Sequence, residues 1–438
     1  MAVRTFVGGI HPSAMKMTGG SPTIAGPVPA RVTVPVGPSW VGYTVLAPKG
    51  TSVKVGQKLA DNEGFMCVPT HSPVSGKVVE AKNIRSYSGS ECLGITIESD
   101  GLQEVHESIA PFEGFESMSP EEIRKIIREA GMLGMGGAEF PTHVKLTLPQ
   151  GVKVDTLVLN GGECEPYLTS DHRVMVERPD RVVDGARILM RSISVERAVI
   201  GVEDNKPDAI AALTEAASKY PGIEVCACKA QYPQGYEKSL IKAALGREVP
   251  PGGLPFNVGV VVVNVSTAAA VSDRFRTGMP LVKRIVTVSG SALEKPSNVE
   301  VLMGTLGSDL VEFCGGVKGE LGKVVFGGPM MGVAATGLGF PISKGTSGLI
   351  LMGRQEALSW KEMPCIRCGR CNEVCPMFLE PSEIHKYALA GDMPRAEKLY
   401  AADCMECGSC SFVCPSKRPL VQSIKLAKQY VLAKRGKK

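Results

Sequence analysis

Two copies of one cysteine pattern constrain this 438-residue chain more than anything else in it. The first is Cys365, Cys368, Cys371 and Cys375, followed by Pro376; the second is Cys404, Cys407, Cys410 and Cys414, followed by Pro415. A step of three residues brings successive thiolates around one tight loop, close enough to hold three corners of an iron–sulfur cubane. The fourth cysteine, launched onto a helix and followed by proline, reaches across to the other cluster in two-cluster ferredoxins. The pattern therefore predicts two 4Fe–4S clusters, one on Cys365, Cys368, Cys371 and Cys414, the other on Cys404, Cys407, Cys410 and Cys375. Structural zinc is the competing reading, but zinc sites pair two CxxC knuckles across a longer loop and have no use for a third cysteine three residues on. The 28 residues between Cys375 and Cys404 exceed what a minimal ferredoxin needs, and 382–390 and 394–401 read as inserted helices.

Eight of the 14 cysteines sit in these two clusters, which points to a reducing compartment rather than to disulfides. The net charge of +5 is mild and much of it lies in the tail Lys434-Arg435-Gly436-Lys437-Lys438. No basic stripe interleaved with aromatics appears, so nucleic acid is not an expected partner. Residues 1–12 lack the apolar core of a secretory signal. The longest apolar run, 258–271, contains Asn264, Ser266 and Thr267 and falls short of the ~20 residues that a spanning helix requires. The chain itself is not expected to cross a membrane.

Along the chain, 1–26 is rich in Gly, Pro, Ser and Thr and reads as an extended arm. Short β-rich runs follow at 31–36, 43–47, 52–55, 76–81 and 93–98. The turn Thr70-His71-Ser72-Pro73-Val74-Ser75-Gly76-Lys77-Val78 resembles half of a biotinyl/lipoyl-type barrel. No lysine occurs in 59–75, so the fold is expected as a scaffold without its carrier function. A helix start is legible at Ser119, where Ser119 and Glu122 form a capping box, Pro120 takes the first turn, and Ile123, Ile126, Ile127 and Ala130 make one face. Gly131 ends it. Strand-like runs at 156–160, 198–202 and 258–265 then alternate with helical ones at 180–193, 206–219 and 237–245, the signature of an α/β domain on a mostly parallel sheet. A smaller α+β unit, with strands at 284–289 and 323–326, precedes the cysteine module, which starts near 349. A final helix from about 419 places Leu420, Ile424, Ala427 and Val431 on its packing face.

Clusters carry single electrons, so another group must exchange electrons with a chemical substrate. Gly131, Gly134, Gly136 and Gly137 precede Phe140-Pro141-Thr142, and missing side chains there let backbone N–H groups approach a flat or phosphorylated ligand. Because this loop follows a helix instead of opening one after a strand, a plain structural turn stays open as an alternative. Lys145 lies downstream as a phosphate or carboxylate partner. The strand over 156–159 then delivers Asn160, Glu163, Cys164 and Glu165 at its carboxyl end, where ligands sit in open α/β sheets. An exposed acidic turn is the plainer reading of the same residues.

Gly134-x-Gly136-Gly137-Ala138-Glu139-Phe140-Pro141-Thr142, followed by Asn160-x2-Glu163-x-Glu165-Pro166, resembles the FMN- and NADH-binding subunit of respiratory complex I. With the barrel-like N-terminus and Cys414-Pro415-Ser416-Lys417-Arg418-Pro419, the whole chain resembles the RnfC family. Its members belong to the Rnf complex, an ion-pumping ferredoxin:NAD oxidoreductase of bacterial membranes. The resemblance implies four domains. These are an N-terminal arm and barrel-sandwich domain (1–110), a Rossmann-like FMN/NAD(H) domain (111–280), a β-grasp domain (281–345) and a helical two-cluster ferredoxin-like module (346–438). It further implies FMN on Gly134, Gly136, Gly137, Lys145 and Asn160, with Glu163 and Glu165 as catalytic acids near the isoalloxazine and nicotinamide. Gly235, Tyr236 and Glu237 fall where the family carries a glycine and two acids, and Tyr236 departs from it. Asn264 and Thr267 match the flavin-phosphate region. What the family implies for function is a peripheral subunit on the cytoplasmic face of the membrane. There it would pass hydride between NAD(H) and FMN and single electrons through both clusters, beside integral-membrane and iron–sulfur subunits, with ferredoxin an indirect partner and Na+ or H+ translocated. A related flavin/iron–sulfur reductase, such as a cobalamin reductase, is the alternative. Cys226 and Cys228 read as a buried same-face pair, Cys67, Cys92 and Cys314 as packing, and His143 as a neighbour of the glycine loop.

Overall fold

Alternation along 31–36 becomes a real strand, Arg31–Pro38, in which Val32, Val34 and Val36 turn inward while their neighbours face outward. The computed structural model describes residues 4–358 and 360–436, so Lys437 and Lys438 of the basic tail lie outside the described residues. Arg31–Pro38, Glu91–Ser99, Gly76–Arg85 and Ser52–Val53 form one antiparallel sheet, in that order. Thr44–Val45, Lys58–Asp61 and Thr70–His71 form a second. The two share a core of Val32, Val34, Leu59, Val74, Val78, Ile95 and Ile97.

The helix Pro120–Glu129 begins as its sequence dictates. Ser119 Oγ accepts from the Glu122 N–H, and the Glu122 carboxylate accepts from the Ser119 N–H at 2.7 Å. Ile123 and Ile127 are fully buried beneath it, and Gly131, with φ +67°, leaves the helix in the left-handed region. The α/β domain follows, a four-stranded parallel sheet ordered Ile223–Cys228, Arg197–Glu203, Thr156–Gly161, Val260–Asn264. Its strands are near-continuous apolar runs because helices cover both faces. The helices Pro179–Ser192 and Val265–Thr277 approach so closely at Gly185 that a Cβ there would strike the Ala268 carbonyl.

A six-stranded mixed sheet carries the third region, ordered Ile24–Ala25, Ser297–Leu302, Lys283–Ser289, Gly348–Gly353, Leu321–Phe326, Val333–Ala335. Two of these strands depart from the sequence reading. Ile24–Ala25 belongs to the arm, yet pairs in parallel with Val299 and Glu300. Gly348–Gly353 falls where the cysteine module was expected, yet sits between two strands of this sheet. The helix Ser170–Glu177 was also not anticipated. In the cysteine module the helix Leu420–Gly436 buries Leu420, Ile424, Ala427 and Val431, the first three against Ile384, Ala388, Ala396 and Ala401. The inserted helices form as Pro381–Leu389 and Met393–Lys398. Among the described residues no helix is long and apolar enough to cross a membrane.

The arm is a strap rather than a loose tail. Arg4 bridges the edge strand at Cys228, Ile10 exchanges both backbone hydrogen bonds with Tyr232, and Gly9 N–H donates to the Val374 carbonyl beside the cysteines. Further on, Tyr167 N–H donates to the Ala14 carbonyl, and Thr18 Oγ1 meets Thr169 Oγ1 at 2.5 Å.

Candidate functional site

The carboxyl ends of Thr156–Gly161 and Val260–Asn264 lie side by side, with Asn160 opposite Asn264. Asn264 caps the following helix, its Oδ1 accepting from Ser266 N–H at 2.9 Å and Thr267 N–H at 3.2 Å. Thr267 Oγ1 in turn accepts from the Met135 N–H at 2.9 Å, which ties the glycine loop to the start of that helix. Gly136 rests on the Asn264 side chain, while Gly137, at φ +103°, has open space where a Cβ would be. Among the described residues no group accepts from the N–H of Gly136 or Gly137, and both glycines are exposed. These free donors beside a helix N-terminus fit a phosphorylated, flat ligand. Gly134 N–H is used within the loop, on the Phe140 carbonyl.

Asn160 is fixed from both sides, donating to the Gly235 carbonyl at 2.7 Å and accepting from Gly162 N–H at 3.0 Å. Gly162 and Gly235 pass in direct contact, and a Cβ on Gly235 would collide with the Gly162 carbonyl and lie 3.3 Å from Cys164 Sγ. Lys145 reaches Glu237 at 3.4 Å across the same opening. Tyr236 packs instead with Met405 and Cys407. His143 turns away, its Nε2 against the Phe65 carbonyl at 2.8 Å.

Both predicted acids are engaged by backbone N–H groups. Glu163 accepts from Asp171 and His172 N–H at 2.9 and 3.1 Å, capping the helix Ser170–Glu177. Glu165 accepts from Met330 and Met331 N–H at 2.9 and 2.8 Å, joining the strand end to the third region. Burial nevertheless pushes its carboxyl up to about 7. Two neighbours escaped the sequence reading. Asp171 bonds Asn264 Nδ2 at 2.7 Å and Ser266 Oγ, and burial, with the Glu163 charge, raises its carboxyl to about 6. Lys16 of the strap donates to the carbonyls of Glu163, Glu165 and Leu168 at 2.8, 2.7 and 2.5 Å. Nothing in a Gly/Ser/Thr-rich segment marks that lysine.

In the cysteine module, Cys375, Cys404, Cys407 and Cys410 line one small apolar cavity, with Met377, Leu379 and Ile424 among its walls. Four thiols around one apolar cavity are the donor set of an iron–sulfur cubane. Burial and the neighbouring thiols push Cys404 up to about 11 and Cys410 to about 12, so loading the site displaces protons. Of the other four, Cys365 and Cys368 are exposed, Cys371 and Cys414 half-buried. The two sites are joined by Tyr232, buried, whose phenol donates to the Cys407 carbonyl at 2.7 Å. Met405 and Cys407 pack there with Ile10, Cys164 and Tyr236. Cys226 and Cys228 are buried with their sulfurs 3.9 Å apart, and Cys67, Cys92 and Cys314 are buried singly.

A parallel sheet with free N–H donors at its carboxyl end, abutting a thiol-lined cavity, defines the class: a flavin–iron–sulfur electron-transfer protein. Family models match in the same order, the RnfC barrel sandwich hybrid domain at 4–102, the Nuo51 FMN-binding domain at 127–273, the SLBB domain at 285–334 and a 4Fe-4S dicluster domain at 363–418. The protein thus carries FMN in its α/β domain and two 4Fe–4S clusters in its cysteine module. The RnfC-type component of the Na(+)-translocating ferredoxin:NAD(+) oxidoreductase complex of Acetobacterium woodii is 45% identical over 436 residues, covering 99% of this chain and 98% of its own. Its counterpart in the proton-translocating complex of Clostridium ljungdahlii is 44% identical, covering 87% and 83%. The chain belongs to this family, the RnfC subunits of ion-translocating ferredoxin:NAD(+) oxidoreductase complexes. A chain of an NAD+-reducing [NiFe]-hydrogenase shares the fold, with a TM-score of 0.50, 21% identity, and coverage of 72% of this chain and 61% of that one.

Proposed function

We propose that this chain is the NAD(H)-oxidoreducing subunit of a membrane-bound ferredoxin:NAD oxidoreductase, held at the cytoplasmic face by integral-membrane and iron–sulfur subunits and coupled to Na+ or H+ translocation. FMN, when bound, supplies the conversion between the hydride of NAD(H) and the single electrons of the clusters. On this reading Gly134, Gly136, Gly137, Lys145, Asn160, Asn264 and Thr267 hold the flavin and its phosphate, and the domain is Rossmann-like, with a β-grasp domain and a ferredoxin-like module after it. Glu163 and Glu165 place carboxylates at the strand end, and Gly235, Tyr236 and Glu237 border the nicotinamide.

The single observation that carries the proposal is the Tyr232–Cys407 contact. On this reading the cluster on Cys375, Cys404, Cys407 and Cys410 lies against the flavin-bearing strand ends, and the cluster on Cys365, Cys368, Cys371 and Cys414, two of these thiols exposed and two half-buried, lies further out. The first is therefore the flavin's partner and the second the outlet to another subunit. Around the outlet Lys361, Arg367, Arg370 and Lys417 are exposed cations and Glu373 an exposed acid, Glu362 is paired with Arg418, and Trp360 and Ile366 are exposed. That collar suits an acidic iron–sulfur carrier. Rapid mixing of FMN- and cluster-loaded protein with NADH tests the order. Flavin reduction should precede that of one cluster population, with the other following, and clusters that stay oxidised after the flavin is reduced would refute it.

A further inference from the structure

The strap crosses the loop after Thr156–Gly161 and bonds to it several times, and at the centre of the crossing one ammonium holds three carbonyls. Lys16 Nζ is enclosed by the carbonyls of Glu163, Glu165 and Leu168, which are brought together only because the loop folds back on itself. On either side the clasp is closed by Tyr167 N–H on the Ala14 carbonyl, Thr18 Oγ1 on Thr169 Oγ1, and Arg173 on the Gly19 carbonyl at 3.1 Å. The ammonium also faces Glu163, Glu203, Lys206 and Cys164. Burial pulls the Lys16 pKa down, and because Glu203 and Lys206 pair with one another, the loop's own carbonyls and Glu163 are what hold the charge on Lys16.

Resting on the flavin reading above, we propose that Lys16 is a positioning residue of the redox site. It fixes the height and shape of the loop bearing Glu163 and Glu165, and it keeps one positive charge beneath the strand ends that meet the flavin. Two consequences separate this role from general packing. Loss of the three-carbonyl clasp displaces the loop, and a displacement of an ångström at a hydride-transfer site slows it by about tenfold to a hundredfold. Loss of the charge makes the reduced, more anionic flavin less stable, so the flavin potential becomes more negative.

The test uses full-length protein carrying FMN and both clusters, wild type against Lys16→Met and Lys16→Gln. Wild-type flavin must first be reduced by NADH; if it is inert, the flavin reading fails and Lys16 is not the cause. With wild type active, Lys16→Met is expected to keep its iron and sulfide, to be reduced by NADH about tenfold or more slowly, and to show a more negative flavin potential. Lys16→Gln, which keeps N–H donors without the charge, is expected to recover part of the rate but not the potential. A Lys16→Met protein with wild-type rate and potential overturns the proposal. Should that variant fail to fold, Lys16→Gln decides alone, and its wild-type potential would overturn the proposal equally.

Discussion

The phenol of Tyr232 donates to the backbone carbonyl of Cys407 across 2.7 Å, and this one bond ties the flavin-bearing domain to a cluster loop 175 residues away in sequence. Removing it leaves a buried carbonyl without a partner, which costs roughly 1–3 kcal/mol. Tyr232→Phe should therefore lower the unfolding free energy by that order in denaturant titration, keep both clusters, and slow cluster reduction after the flavin is reduced.

The pairing of cysteines makes a separable prediction. Cys375→Ser should abolish the cluster lined by Cys404, Cys407 and Cys410, halving iron from about eight to about four per chain. The surviving cluster should no longer be reduced by NADH through the flavin, because the lost cluster is its link to the flavin. Cys365→Ser should do the reverse, halving iron while leaving the other cluster reducible. Iron assay with electron paramagnetic resonance distinguishes the two.

Glu165 makes the pH dependence. Its carboxyl is raised from the ordinary 4.5 to about 7 in the fold. Below about 4.5 it is protonated folded and unfolded alike; between 4.5 and 7 only the unfolded chain ionises, so stability falls as pH rises, and above 7 the deficit is constant. The deficit is on the order of 3–4 kcal/mol at most. Glu165→Gln, which keeps an acceptor for Met330 and Met331, should flatten this contribution in flavin-free protein. An unchanged pH profile of unfolding would count against it.

Charge at the outlet is testable in trans. Arg367→Glu with Arg370→Glu should slow electron exchange with an acidic iron–sulfur carrier about tenfold or more at low salt and weaken its salt dependence. Reduction of the flavin by NADH should be unchanged in the same protein.

Much of this was legible because it is local. The capping box at Ser119 lies within four residues of chain, the helix at Glu237 follows its own apolar periodicity, and the cysteine spacing encodes its loop directly. What escaped depends on distant chain. Ile24–Ala25 has no strand signal of its own and is a strand only because Ser297–Leu302 presents an edge. Gly348–Gly353 reads as a generic apolar run until Lys283–Ser289 and Leu321–Phe326 flank it. Tyr232 and Lys16 carry no motif, since each acts on a backbone carbonyl, and carbonyls have no sequence signature. Glu163 and Glu165 stand out by their place at the carboxyl end of a strand and by the family resemblance, but their bonds to backbone N–H groups depend on the helix Ser170–Glu177 and the turn at Met330.

The most direct measurement is the flavin, iron and sulfide content of anaerobically purified protein together with its spectrum on adding NADH. About one FMN and about eight iron and eight sulfide per chain are expected, with flavin bleaching followed by loss of cluster absorbance. Zinc in place of iron, missing sulfide, or a bound flavin that NADH leaves oxidised would contradict it.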